Sequence, residues 1–147
     1  MIIICDIDKT LADNAHREHY LLQPKKDWDS FFKAASEDTV IWPIRDLIVY
    51  LKDNHRIVFL TGRPDKYHIE TAIWLRDNGI VNFFRPTSHK LIFRPNNNYE
   101  KDYIFKSRVV QELGLNNIWF AIDDSPEVIK AYRELGIFTI DPVQHKG

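Results

Sequence analysis

The chain has 147 residues, 44% of them hydrophobic, 28% charged and 13% aromatic, with 20 Lys and Arg against 21 Asp and Glu for a net charge of −1. One domain of this length buries roughly two thirds of its unfolded surface, its apolar content is too high for disorder, and no apolar run approaches the roughly 20 residues that span a bilayer. The balanced charge excludes coating of long nucleic acid by bulk electrostatics, though not the handling of one phosphorylated end.

Residues 1–5, Met-Ile-Ile-Ile-Cys, open the chain with a continuous apolar run that reads as a strand buried on both faces. No basic segment precedes it, so no signal peptide is expected. Cys5, the single cysteine, has no internal disulfide partner; a buried, inert thiol in a reducing, cytoplasmic setting is the expectation. Residues 11–42 follow as a mostly helical insertion, with Trp28, Phe31, Phe32 and Ala35 on one helical face. Its place directly after the first strand suits either a packing helix or a small cap beside an active site.

From residue 43 onward strand and helix signals alternate. Pro43 opens a helix carrying Ile44, Leu47, Ile48 and Leu51 at helical spacing; a strand at 56–60 follows. Pro64 opens a second helix, with Ile69, Ile73 and Trp74 on one face, ahead of a strand at 91–93. A third helix is predicted over 99–113 and a strand over 118–122. The last helix spans 125–135, started by Ser125 at the N-cap, Pro126 and Glu127, and the last strand spans 137–140. Gly79, Gly114 and Gly136 each stand just past a helical segment, where a left-handed residue ends a helix. These β-α-β units predict an α/β fold, a doubly wound parallel sheet of about five strands with helices on both faces.

Four polar clusters fall at or just beyond the carboxyl ends of the strands: Asp6-Ile7-Asp8 with Thr10, Thr61-Gly62-Arg63, Lys106, and Asp123-Asp124. In a right-handed parallel sheet these ends share one edge. Four carboxylates gathered there would repel one another unless a cation sat among them, and hard oxygen donors suit Mg²⁺. One carboxylate is then placed to attack phosphorus and a second, two residues later, to protonate the leaving oxygen and activate water. Thr61 and Lys106 would meet the phosphoryl oxygens.

In these four motifs the chain resembles the haloacid dehalogenase superfamily of phosphotransferases. The resemblance implies that Asp6 is a nucleophile forming an aspartyl-phosphate and that Asp8 is the general acid/base. It further implies that Thr61 and Lys106 bind phosphate, and that Asp6, the Asp8 main-chain carbonyl, Asp123 and Asp124 hold Mg²⁺. Lys9 departs from the glycine usual at its position.

A narrower resemblance, to the 3′-phosphatase domain of bacteriophage polynucleotide kinase-phosphatase, rests on the interval from Arg94 to Lys106, on Phe120-Ala-Ile-Asp-Asp-Ser-Pro-Glu-Val and on the arginine of Thr-Gly-Arg. It implies that Arg63 and Arg94, with Gly62 of the Thr-Gly-Arg cluster, lie near the substrate phosphate, and that a phosphorylated nucleotide or nucleic-acid end is the substrate. His16-Arg17 also fits that group; His16 and His19 lack the Cys/His partners of a zinc site. No G-x-x-x-x-G-K-[ST] loop is present, so the resemblance reaches the phosphatase alone. The alternatives are a 5′-nucleotidase acting on free nucleoside monophosphates, a phosphoacceptor signalling domain and a silent binding domain. In the signalling reading the acceptor Asp would close the third strand, where Phe93-Arg94 stands instead.

Charge divides along the chain. Residues 1–62 carry 8 basic and 10 acidic residues, 63–108 carry 9 and 5, and 109–147 carry 3 and 6. The near-neutral total therefore conceals a basic segment, contributing Arg94 and Lys106, between two acidic ones.

Overall fold

A computed structural model describes residues 1–143. In chain order, β1 (Ile2–Cys5) leads into β2 (Ala12–Asp13), a 3-10 segment at Ala15–Leu21, α1 (Trp28–Lys33), a second 3-10 segment at Ala34–Glu37 and β3 (Thr39–Val40). Then α2 (Trp42–Leu51), β4 (Arg56–Pro64), α3 (His68–Asp77), β5 (Lys90–Arg94), α4 (Asp102–Leu113), β6 (Ile118–Ile122), α5 (Pro126–Glu134) and β7 (Thr139–Ile140) alternate.

The apolar runs form one parallel sheet of order β5-β4-β1-β6-β7. Both faces carry a core, and successive residues of β1 and of positions 57–60 in β4 feed opposite sides. Ile3, Cys5, Ile57, Phe59, Phe120 and Ile122 meet Ile48 of α2 and Trp74 and Leu75 of α3. Ile2, Ile4, Val58, Leu60 and Ile118 meet Phe105, Val109 and Val110 of α4 with Val128 and Tyr132 of α5. The chain winds from β1 out to β5, then crosses back to lay β6 on the other side of β1. The strand order thus reverses between β1 and β6, where a crevice opens at the carboxyl ends.

Three local expectations need correction. The strand predicted at 56–60 continues to Pro64, so Thr61, Gly62 and Arg63 lie on β4 itself, with a register shift between Thr61 and Pro64. The helix predicted from Pro64 begins at His68 after a 3-10 turn. Its buried residues are Thr71, Ala72, Trp74 and Leu75, leaving Ile69 and Ile73 exposed. Polar anchors set this face: Thr71 Oγ1 accepts from Arg63 Nη1 (3.0 Å), and Trp74 Nε1 donates to the Asp38 carbonyl (2.9 Å). Ser125 holds the N-cap position of α5 without a side-chain capping bond; its amide donates to Asp123 Oδ1 (3.0 Å).

The insertion contains the expected short helices and also an antiparallel pairing of β2 with β3, Ala12 opposite Val40 and Asp13 opposite Thr39. That ribbon returns the chain to the sheet edge from which it left. Among the described residues no helix is long and apolar enough to cross a membrane.

Candidate active site

The amide of Asp6 donates to the Ile122 carbonyl (3.0 Å), carrying the β1–β6 ladder one residue past the strand and setting the Asp6 carboxylate over the switch point. The Asp123 amide does the same toward Ile140 (3.2 Å). As a result Asp6, Asp123 and Asp124 each present a carboxylate oxygen within 4.8 Å of the others. Asp6 and Asp123 are buried and Asp124 is partly exposed.

Lys106 reaches this cluster from α4. Its buried ammonium donates to Asp6 Oδ1 (3.0 Å) and Asp123 Oδ2 (2.8 Å) and pairs with Asp102 Oδ2 (3.3 Å). Thr10 Oγ1 donates to the other Asp6 oxygen (3.1 Å). Burial pushes the Asp6 carboxyl well above the usual range; the nearby Asp123 charge adds to this and Lys106 opposes it. Burial likewise raises Asp123 against the pull of Lys106. Burial would lower the Lys106 ammonium, but Asp6, Asp123 and Asp102 outweigh it and hold it well above the ordinary lysine range. Three carboxylates set against one ammonium leave an excess of negative charge among hard oxygen donors. That donor set fits a divalent cation of the Mg²⁺ kind.

Asp8, two residues on, meets a different environment. Arg63 grips it with two bonds, Nε to Oδ2 (3.0 Å) and Nη2 to Oδ1 (2.8 Å), and Arg17 Nη2 donates to Oδ1 as well. Burial raises the Asp8 carboxyl, yet the charges and hydrogen bonds of Arg63, then Arg17, outweigh it and hold the group well below the usual carboxylate range. Arg17 is fully buried and is itself held by Asp38, which accepts from its Nε and Nη2 (both 2.8 Å), and by the Phe31 carbonyl (3.1 Å). His16 Nε2 also bonds Asp38 Oδ1 (2.7 Å), while His19 Nδ1 bonds the His16 carbonyl (3.1 Å). The two histidines do not converge on a common point, and His16 belongs to the Asp38 cluster. Lys9 takes a left-handed conformation (φ 62°) in the turn after Asp8, and its ammonium pairs with Glu18 (3.1 Å) at the surface.

Thr61 is fully buried, its Oγ1 accepting the Arg63 amide (3.1 Å). Gly62 beside it lies in close approach to α4: a Cβ there would push against the Asp102 carboxylate. Arg94 spends its guanidinium on protein groups, donating to the Gly62 carbonyl (3.0 Å), Asp102 Oδ1 (2.8 Å), Asn98 Oδ1 (3.0 Å) and the Glu100 carbonyl (2.7 Å). It therefore braces Gly62 and Asp102 at the cavity wall. Asp38 and Asp102 were not among the sequence candidates. Asp102 stands one helical turn before Lys106, a spacing that could have drawn notice; no pattern marks Asp38. One cavity of about 720 Å³ is lined by Asp6, Asp8, Gly62, Arg63, Arg94, Asp123 and Asp124 together with Trp28, Phe32 and Tyr67.

With that geometry in place, the family model for the phosphatase domain of polynucleotide kinase PNKP matches residues 1–145. The chain belongs to this family. It is a phosphatase domain of the haloacid dehalogenase type. A protein of Autographa californica nuclear polyhedrosis virus, named as a candidate bifunctional polynucleotide kinase/RNA ligase, is 28% identical over 142 residues, which is 94% of this chain but 18% of that protein. A chain from a structure described as the Pnkp1/Rnl/Hen1 RNA repair complex shares the fold at TM-score 0.77 and 24% identity, over 95% of this chain and 41% of that one. The haloacid dehalogenase-like hydrolase SP0104 from Streptococcus pneumoniae superposes at TM-score 0.66 and 17% identity, over 95% and 83% of the two chains. This phosphatase domain thus spans less than half of the first two relatives.

Proposed function

We propose that the protein is a Mg²⁺-dependent phosphomonoesterase that removes phosphate from a 3′-phosphorylated nucleic-acid end or a nucleotide, through an aspartyl-phosphate on Asp6. The observation that carries this reading is the gathering on one cavity of the Asp6, Asp123 and Asp124 carboxylates with Lys106, beside an Asp8 held between two arginines. The relatives named for polynucleotide kinase and RNA repair support the nucleic-acid substrate.

Asp6, the Asp8 main-chain carbonyl, Asp123 and Asp124 would hold the metal, whose chemistry is to offset charge on the phosphoryl oxygens and on the attacking carboxylate. The chain's own groups do the rest. Thr10 and Lys106 fix the two oxygens of Asp6 so that one of them faces the incoming phosphorus. Lys106 and Thr61 then supply a cation and a hydroxyl to the phosphoryl oxygens. Asp8 protonates the departing ester oxygen and, in the second half-reaction, takes a proton from the water that hydrolyses the acyl phosphate. Asp8 is ionised while Arg63 and Arg17 grip it. It takes up a proton from solvent or from the phosphate monoanion of the substrate before it serves as the acid. Arg94 acts indirectly, holding Gly62 and Asp102.

Residues 11–42 serve in this reading as a small cap that carries Arg17 and Asp38 over Asp8 within a single 1–147 phosphatase domain. A cytoplasmic setting accords with the one free, buried thiol, Cys5. The test is phosphate release from a 3′-phosphorylated oligonucleotide, nucleoside 5′- and 3′-monophosphates and sugar phosphates, with Mg²⁺ and with EDTA. Strongest turnover on the 3′-phosphorylated oligonucleotide, abolished by EDTA, is expected. Preference for 5′-monophosphates would instead support the nucleotidase reading, and preference for sugar phosphates would remove nucleic acid from the proposal.

A further inference from the structure

The cavity extends well beyond what a phosphate group fills, and part of its wall is aromatic. Trp28, Phe32 and Tyr67 all line it. Their rings form a column: Trp28 stacks on Phe32 (centroids 5.9 Å apart, planes at 22°), and Phe32 leans on Tyr67 (5.0 Å, 33°). Tyr67 is buried, Phe32 half-buried and Trp28 49% exposed, so the column ends in a half-exposed indole that lines the cavity holding Asp6 and Asp8.

The charges beside the column favour an anionic chain. Lys26 Nζ lies 5.7 Å from the Trp28 ring centroid and Lys66 Nζ 5.2 Å from that of Tyr67. Of the acids near the column, Asp29 is engaged by Lys33 (2.9 Å) and the Tyr67 hydroxyl (2.7 Å), and Asp27 accepts the Ser30 amide (3.1 Å). A sugar phosphate would leave this apolar wall uncovered. A planar base attached to the ribose whose 3′-phosphate meets Asp6 would extend the ring column by one member. Every base has a π-face, so recognition of this kind tolerates all four bases.

From this we infer that Trp28 is a specificity residue: its indole stacks on the nucleobase of the nucleoside that carries the phosphate, with Lys26 and Lys66 beside the adjoining phosphodiester. The inference rests on the nucleic-acid reading above and narrows it, since it makes the terminal base part of what is recognised.

Steady-state kinetics test it with three substrates: a 3′-phosphorylated oligonucleotide, the same strand with a stable abasic residue at its 3′ terminus, and glycerol 2-phosphate. The wild-type protein should show a KM about 5- to 150-fold lower for the base-bearing strand than for the abasic one, a factor set by the strength of base–aromatic stacking. Trp28→Ala should erase that difference by raising KM on the base-bearing strand alone, with kcat little changed. Trp28→Phe should preserve most of it, which separates stacking from a fold defect. Equal KM values for the two strands in the wild-type protein, or an equal rise on both in Trp28→Ala, would overturn the stacking role and leave the phosphatase reading standing. Turnover of glycerol 2-phosphate with none of either oligonucleotide would overturn both.

Discussion

Lys106→Met removes the one cation that Asp6 and Asp123 share while nearly preserving the length of an apolar stem. Its ammonium is buried and bonded to both carboxylates at 3.0 and 2.8 Å, so the variant leaves two buried carboxylates without the cation that offsets them. Breaking a buried pair in this way costs about 3–5 kcal/mol, a large part of the roughly 5–15 kcal/mol that stabilises a domain. The third partner, Asp102, has a 39% exposed side chain and a second cation in Arg94, so solvent screening leaves it a small share. The penalty has a definite pH dependence. Asp6 and Asp123 carry carboxyls whose folded-state pKa values lie above the unfolded one, so stability is fullest below the ordinary carboxylate range and falls as pH rises through the elevated values. Without Lys106 those values rise further, so the deficit should be small in acid, where both carboxyls are protonated, and should grow as pH rises through the elevated values. Added Mg²⁺ at about a hundred times its dissociation constant should return roughly 2.7 kcal/mol. Urea unfolding followed by the fluorescence of the four tryptophans, with EDTA and with Mg²⁺, measures all three quantities. A loss below about 1 kcal/mol in EDTA above neutrality, unchanged by acid or by Mg²⁺, would refute the view that Lys106 compensates ionised carboxylates.

Asp8→Asn should lower turnover of an alkyl phosphomonoester by about 10²–10⁴-fold and of an aryl phosphate, whose leaving group needs no proton, far less; equal losses on both would remove the general-acid role. Gly62→Ala should reduce activity and stability together, because the added methyl displaces Asp102 from Lys106 and Arg94; an unchanged melting temperature and rate would contradict the close approach. His89 Nδ1 accepts the Ile57 amide (2.9 Å), and burial, then the Lys52 charge, lowers its pKa. Stability tied to neutral His89 is present above the unfolded value and lost as pH falls below it. The urea midpoint should drop between about pH 7.5 and about pH 5, and less steeply in His89→Asn; identical slopes would exclude the coupling. Ile48→Ala, beneath α2, should cost about 2–5 kcal/mol without altering KM.

The strands were legible because Ile2–Cys5, Ile118–Ile122 and the start of Arg56–Pro64 are apolar on both faces, a pattern that few other environments produce. The grouping of Asp6 and Asp123 was legible for a related reason: parallel strands bring their carboxyl ends to one edge whatever the connections between them. The face of α3 was not, since Ile69 and Ile73 outscore Thr71 and Ala72 in apolarity, yet Arg63 and Asp38 anchor Thr71 and Trp74 and turn the isoleucines outward. β2 and β3 are two residues each, too short for any periodicity. Asp38 could not be read at all, because its meaning depends on the insertion folding Arg17 and His16 back across about twenty residues onto one carboxylate.

The central claim is covalent catalysis by Asp6, and rapid-quench trapping tests it most directly. With a radiolabelled 3′-phosphoryl group and Mg²⁺, label should appear transiently on the protein, stable to acid and labile to base, and should be absent from Asp6→Asn and in EDTA. Phosphate release by Asp6→Asn at the wild-type rate, or label accumulating on that variant, would contradict it.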